Sequence, residues 1–340
     1  MKKVVIIAEA GVNHNGDITI AKQLIDVAAE AGADYVKFQT FKTEELVTVD
    51  AKKADYQIKN SIKGEPNTQF EMLKKLELSH SQHIELMDYC KIKNIQFLST
   101  AFDITSIDLL QNLGINLFKI PSGEITNLPY LKKIGGLNKP TILSTGMCVM
   151  SEIEEAVNVL VNAGMARSNI SILHCTTDYP TAVTDVNLNA MLAIKKQFNL
   201  SVGYSDHTLG ITVPIAAVAI GAVIIEKHFT LSRNLEGPDH KASLEPNELK
   251  NMVLAIRDIE LALGSATKTP TSTEINNILI ARKSIHINNN LSKGHTITEI
   301  DLVMKRPGDG ISPMKMNMVI GKQLNKAVFA EYKLSLADLV

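Results

Sequence analysis

Eight short runs of β-branched and aliphatic residues recur between residue 4 and about residue 263, and each is followed by a stretch of helical periodicity. The runs are Val4–Ala8, Tyr35–Gln39, Ile95–Ser99, Leu117–Ile120, Thr141–Ser144, Ile170–Leu173, Leu200–Tyr204 and Val223–Glu226. After the first, Ala21, Leu24, Ile25 and Ala28 repeat at helical spacing behind Asp17, a helix-start residue. After the fifth, Ser151-Glu-Ile-Glu154 has the spacing of a capping box. After the eighth, Leu249, Met252, Val253, Ile256 and Ile259 form one apolar face. Eight such units predict a parallel (β/α)8 TIM barrel over residues 1–264, although counting alone also admits an open, doubly wound sheet. A long, Lys-rich insertion at roughly 42–68, containing Gly64-Glu-Pro66, reads as a lid or binding loop.

The pattern changes after Gly264. Ser, Thr, Lys and Pro replace the apolar periodicity, and residues 265–284 read as a linker. Residues 285–340 carry short segments and many turn residues, which predicts a small β-rich domain. A hydrophobic content of 45% over 340 residues supplies a core large enough for this plan. The formal net charge of −1 offers no broad basic field for nucleic acid or an anionic membrane. An anionic ligand must therefore be held by a few placed cations. Cys90, Cys148 and Cys175 form no CxxC pair or disulfide framework, which suits a reducing cytoplasm. The apolar stretch Ile211–Ile225, broken by Pro214 and Gly221, is too short to span a bilayer.

A parallel barrel carries its chemistry at the carboxyl ends of its strands. Those ends are polar throughout: Glu9; Lys37 and Gln39; Thr100; Lys119 and Ser122; Ser144; His174; Ser205, Asp206 and His207; Glu226 and His228. Ordinary strand-end polarity explains one or two of these but not eight in succession. Lys37 and Lys119 sit in apolar strands, where a lysine is rarely buried without a partner. Two ammonium groups inside one barrel demand an anion between them, and a small carboxylate-phosphate ligand would meet that demand. Ser122-Gly123 and Ser144-Thr145-Gly146 add hydroxyl and backbone donors suited to phosphate. His207 and His228 end neighbouring strands, and with Asp206 and Glu226 beside them they suit a divalent metal with open positions. His174 suits a structural role as well as a supporting one. Glu9 suits a general base, or equally an ion-pair partner for a barrel lysine.

These residues belong to longer motifs: Glu9-Ala-Gly-Val-Asn-His-Asn-Gly16, Val36-Lys-Phe-Gln-Thr40, Lys119-Ile-Pro-Ser-Gly-Glu124, Leu143-Ser-Thr-Gly-Met147, Tyr204-Ser-Asp-His207, Glu226-Lys-His-Phe-Thr230 and Gly237-Pro-Asp-His240. In this order they resemble the N-acetylneuraminate (sialic acid) synthases, legionaminate synthases included. Past the linker, Ala281-Arg-Lys-Ser284, Lys293-Gly294 and Lys305-Arg-Pro-Gly-Asp-Gly310 resemble the family's antifreeze-protein-like (SAF) domain. The resemblance implies condensation of phosphoenolpyruvate with an N-acetylmannosamine-type sugar and water, giving N-acetylneuraminate or a close nonulosonate and phosphate. The alternative sugar is 2,4-diacetamido-2,4,6-trideoxymannose, which gives N,N'-diacetyllegionaminate.

The resemblance also implies roles for individual residues. Glu9 is catalytic. His207 and His228 hold a divalent metal, usually manganese, with magnesium or cobalt as alternatives. Lys37, Lys119, Ser122, Ser144 and Tyr179 bind phosphoenolpyruvate. Gln39, Asp239 and Arg306 face the sugar, Arg306 from the partner subunit of a homodimer with exchanged C-terminal domains. The sequence departs from the family pattern at Ala101, Ala182, Thr177, Phe38 and Phe41, which bears on the choice of sugar. Two rival readings remain: a lysine Schiff-base aldolase using Lys119 or Lys37, and a non-enzymatic sugar- or ice-binding protein.

Overall fold

The computed structural model describes residues 3–53 and 68–340. Gly64-Glu-Pro66 and most of the expected insertion lie outside the described residues. The chain forms two compact units, Met1–Gly264 and Ser265–Val340.

The first unit is built on eight parallel strands: β1 (Val5–Gly11), β2 (Tyr35–Thr40), β3 (Gln96–Ala101), β4 (Phe118–Ile120), β5 (Thr141–Ser144), β6 (Ile170–Cys175), β7 (Ser201–Asp206) and β8 (Ile224–His228). Their hydrogen-bonded order is β3-β2-β1-β8-β7-β6-β5-β4. β3 and β4, at the two ends of this order, lie against each other, so the sheet curls into a (β/α)8 TIM barrel rather than the open alternative. Most strands run one to three residues further than their apolar runs, because β-ladder pairing continues through the polar residues. Glu9 pairs in register with His228, and Gln39 with Thr100.

The helical layer follows from local signals. Asp17 caps the helix Ile18–Ala31 by accepting from Thr19 N, and Ala21, Leu24, Ile25 and Ala28 are buried against the barrel as their spacing requires. The expected cap at Ser151 is corrected. The helix spans Met150–Asn162, and Val149 N donates to Glu152 Oε2, so the reciprocating glutamate is Glu152 rather than Glu154. Leu249, Met252, Val253 and Ile256 are buried on the long helix Pro246–Ala262. No helix among the described residues is long and apolar enough to cross a membrane.

In the second unit the expected linker contains a helix, Ser272–Ala281. Thr271 and Glu274 form a reciprocal capping box there, a signal that the surrounding Ser/Thr-rich composition masked. Regular strand is sparse: β9 (Ser284–Ile287) pairs antiparallel with β10 (Leu302–Lys305), supplemented by isolated bridges such as Leu291 to Val328. Ile285, Ile287, Ile297, Val319, Leu324, Val328 and Leu334 make a separate small core.

Candidate active site

Side chains alternate across a strand, so residues two apart share a face. Lys37 and Gln39 on β2, Ser205 and His207 at the end of β7, and Glu226 and His228 on β8 share the barrel interior by this rule. With Glu9, Thr100, Lys119, Ser122, Ser144, Cys175 and Tyr179 they line one cavity of about 250 Å3.

At its floor lies a buried charge cluster. Lys37 Nζ stands 2.7 Å from Glu9 Oε2 and 3.1 Å from Glu226 Oε2, and it donates to Thr100 Oγ1 at 2.9 Å. Lys119 Nζ lies 3.2 Å from Glu226 Oε1, which also accepts from Ser205 Oγ at 3.0 Å. The anion between the two lysines is thus the protein's own Glu226, which corrects the argument that their repulsion alone requires an external polyanion. Glu226 gained no role of its own from the sequence. The parity it shares with His228 is the signal that points to it. Burial in low dielectric disfavours its charge, but Lys119 and Lys37 outweigh burial and hold its carboxyl well below the usual carboxylate range. Burial has the opposite outcome at Glu9, whose pKa rises to about 7. Lys37 opposes the rise and the nearby Glu226 charge adds to it. Burial also lowers the pKa of Lys119, whereas at Lys37 the Glu226 and Glu9 charges overcome burial and raise it. Glu9 therefore is the ion-pair partner of Lys37, and it is also a carboxyl poised to exchange a proton near neutral pH.

Above this floor stand the imidazoles. The rings of His207 and His228 are 5.6 Å apart, and the Tyr179 ring lies 4.1 Å from the first and 5.7 Å from the second. His207 Nδ1 bonds the Thr176 carbonyl at 2.5 Å; as the donor there, it leaves Nε2 as the ring's acceptor. His228 Nδ1 is buried without a hydrogen-bond partner, and Asp239 Oδ2 is 3.9 Å away. Burial keeps both rings neutral: it lowers the pKa of His207 to about 4 and that of His228 well below its ordinary value, His207 adding to the second shift. Two neutral imidazoles with available nitrogens fit a divalent ion that takes its remaining ligands from water and substrate. Among the described residues no third histidine, cysteine, aspartate or glutamate completes a ligand group.

Asp206 is corrected. It faces away from the cavity, at 2.5 Å from Lys227 Nζ, and both side chains are fully buried. Lys227 also donates to the Thr208 carbonyl, and Asp206 accepts from Thr208 N. This ion pair ties β7 to β8 behind the two histidines. His174 also faces outward and bonds the Val186 carbonyl at 2.8 Å, a structural role.

The serines sit on the opposite wall. Ser122 Oγ accepts from Gly146 N at 2.9 Å, so that expected backbone donor is occupied within the protein. A Cβ at Gly146 would stand 2.2 Å from Thr177 Oγ1, which explains why only glycine fits. Ser144 Oγ is buried without a hydrogen-bond partner, as expected of a hydroxyl facing a ligand. Gln39, Phe102, Tyr179 and His228 also border a second cavity of about 240 Å3, lined further by Asp239 and by Phe41. Burial raises the pKa of Asp239 to about 6. Phe38 faces the helical layer instead, stacked on Phe97. Arg306 belongs to the second unit and is exposed. Its Nε donates to the Ala281 carbonyl at 3.0 Å, where the helix Ser272–Ala281 leaves its last carbonyls unpaired.

The model of the NeuB family matches residues 24–268. The chain is 55% identical over 326 residues to the N,N'-diacetyllegionaminic acid synthase of Campylobacter jejuni, covering 96% of this chain and 97% of that protein. It is 49% identical to the Legionella pneumophila protein of the same name, covering 94% and 90%. The crystal structure of an N-acetylneuraminic acid synthetase from Leptospira borgpetersenii, solved with citrate, superposes with a TM-score of 0.71 at 35% identity, covering 82% of this chain and 90% of that one.

Proposed function

The chain belongs to the NeuB family and is a synthase of the sialic-acid type, and from that premise we propose that it condenses phosphoenolpyruvate with 2,4-diacetamido-2,4,6-trideoxymannose and water to give N,N'-diacetyllegionaminate and phosphate. The observation that carries this choice of sugar is the identity of 55% and 49%, over nearly the whole chain, with two proteins named for that product. N-acetylmannosamine, the first expectation from sequence, yields to the alternative, since the relative named for N-acetylneuraminic acid stands at 35%.

The convergence of Lys37, Lys119, Ser122, Ser144 and Tyr179 on one cavity supports their binding of phosphoenolpyruvate. The lysines offset the carboxylate and phosphate charges, and the buried Ser144 hydroxyl gains a partner. C3 of the enol ester attacks the aldehyde carbon of the open-chain sugar. The new C–C bond forms as the C=O π bond opens, the sugar oxygen takes up a proton, and an oxocarbenium centre is left at C2. Glu9 takes a proton as water adds at C2, and the C2–O bond to phosphate then breaks. A divalent ion at His207 and His228, manganese by family resemblance, would act as a Lewis acid toward the sugar carbonyl. Three free cysteines support a reducing, cytoplasmic setting.

Phosphate release in 18O water, with each sugar in turn, tests the reading. The diacetamido sugar should be turned over fastest, with label in the C2 hydroxyl of the product and none in phosphate. Label in phosphate would mean attack at phosphorus and would sink this mechanism.

Arg306 is proposed to reach the sugar's acyl group from the partner subunit of a homodimer, through a SAF-type C-terminal domain. A hydrogen bond involving a charged donor contributes about 1.5–3 kcal/mol. Arg306→Ala should therefore lower kcat/KM for the sugar by roughly 10- to 100-fold while sparing the KM for phosphoenolpyruvate. Mixing Arg306→Ala with His228→Ala should restore some activity, because one barrel of a mixed dimer has both groups. No recovery after verified subunit exchange would place the arginine over its own barrel.

A further inference from the structure

The second cavity has two chemically different ends. Toward the histidines it is polar, with Gln39, His228 and Asp239. Its far end is walled by Phe41, Leu46, Met72, Leu73 and Leu76. These belong to an apolar cluster separate from the main barrel core, with Phe41 edge-on to Phe102 at 6.4 Å. The wall is braced from behind: Thr43 N donates to Glu77 Oε1 at 2.8 Å, and Lys74 pairs with Glu44 at 2.7 Å. Gln69, on the same helix as Met72, contributes an amide to this end.

A sugar with its aldehyde carbon beside His207 and His228 can extend its far carbons into the second cavity, because His228, Gln39 and Tyr179 border both. We propose that the apolar end receives C4 to C6 of the sugar, and that Phe41, Met72 and Gln69 select a 6-deoxy, 4-acetamido substrate over one hydroxylated at both positions; this rests on the synthase reading above. A C6 methyl and an acetamido methyl gain by leaving water for such a wall. A C6 hydroxyl placed there would lose its water partners, and among the described lining residues only Gln69 offers a replacement at that end. The Gln69 amide can pair with the donor and acceptor of an acetamido group, whose methyl also gains the apolar wall that a bare hydroxyl cannot use. An apolar pocket discriminates against an added hydroxyl by about 100-fold.

The test is kcat/KM from phosphate release with three sugars: 2,4-diacetamido-2,4,6-trideoxymannose, 2-acetamido-2,6-dideoxymannose and N-acetylmannosamine. Activity should fall in that order, and the loss of the C6 methyl should cost about 100-fold. Met72→Gln should narrow the preference for a C6 methyl by about tenfold without changing the KM for phosphoenolpyruvate. Gln69→Leu should narrow the preference for the 4-acetamido group. If Met72→Gln does not fold, Leu46→Asn, at a half-buried position, tests the same wall. Unchanged ratios in folded variants would overturn the pocket assignment and leave the proposed function standing. Wild-type preference for N-acetylmannosamine would overturn both the pocket assignment and the choice of sugar, leaving only the condensation with phosphoenolpyruvate. No phosphate release from any of the three sugars would overturn the synthase reading and the pocket assignment with it.

Discussion

Removal of divalent metal with a chelator should abolish turnover, and return of a divalent ion should restore it. His207→Ala and His228→Ala should each lose more than the roughly 10- to 100-fold that follows from disturbing a residue behind a ligand. The physical basis is the state of the two rings. Burial holds both neutral, one has its Nδ1 on the Thr176 carbonyl, and the other has a buried Nδ1 with no hydrogen-bond partner. An imidazole nitrogen left in that condition costs free energy unless something binds it. Titration calorimetry with manganese provides a readout independent of catalysis: wild-type protein should bind, and each alanine variant should bind much more weakly. Full turnover by metal-stripped enzyme would remove the metal from the mechanism and return the pair to a structural role.

Glu9→Gln should lower kcat by about 10²–10⁴ with little change in substrate binding, the range expected when an acid–base group is lost. Glutamine keeps the size and one acceptor oxygen, so the contact with Lys37 at 2.7 Å is weakened rather than emptied. That separates the two roles the geometry combines, because a mere charge partner would leave kcat nearly unchanged. The pH profile offers a second readout. With its pKa raised to about 7, Glu9 is largely protonated below that pH and cannot take a proton. The kcat/KM of wild type should therefore fall as pH drops below about 7, and Glu9→Gln should lack that limb. The sign for stability is the opposite. A buried carboxyl with a raised pKa is protonated more readily in the folded protein than when unfolded. Its contribution is fully present below the unfolded value of 4.5 and is lost as pH rises through about 7.

Much of this protein was legible along the chain, because barrel strands and their helices are local signals. Each strand announces itself by a β-branched run, and Asp17 and the Leu249 face mark their helices without reference to distant residues. Strand parity is also local, and it is enough to place Lys37 with Gln39 and Glu226 with His228. The same rule would have turned Asp206 outward, where it meets Lys227. The helix Ser272–Ala281 was written in Thr271 and Glu274, although its surroundings looked like linker.

What only the tertiary structure decided is the pairing of charges and the shape of the space between them. That Glu226 stands between Lys37 and Lys119, and that Glu9 meets Lys37, depends on how the interior of a closed barrel packs residues from β1, β2, β4 and β8. Burial pushes both carboxyls upward, but the two ammonium groups facing Glu226 overturn that push, whereas Glu9 shares only one of them and stays raised. The apolar wall from Phe41 to Leu76 is equally a product of folding. Its residues read along the chain as ordinary loop and helix hydrophobics, and only their convergence beside His228 and Asp239 makes them a surface that a sugar could meet.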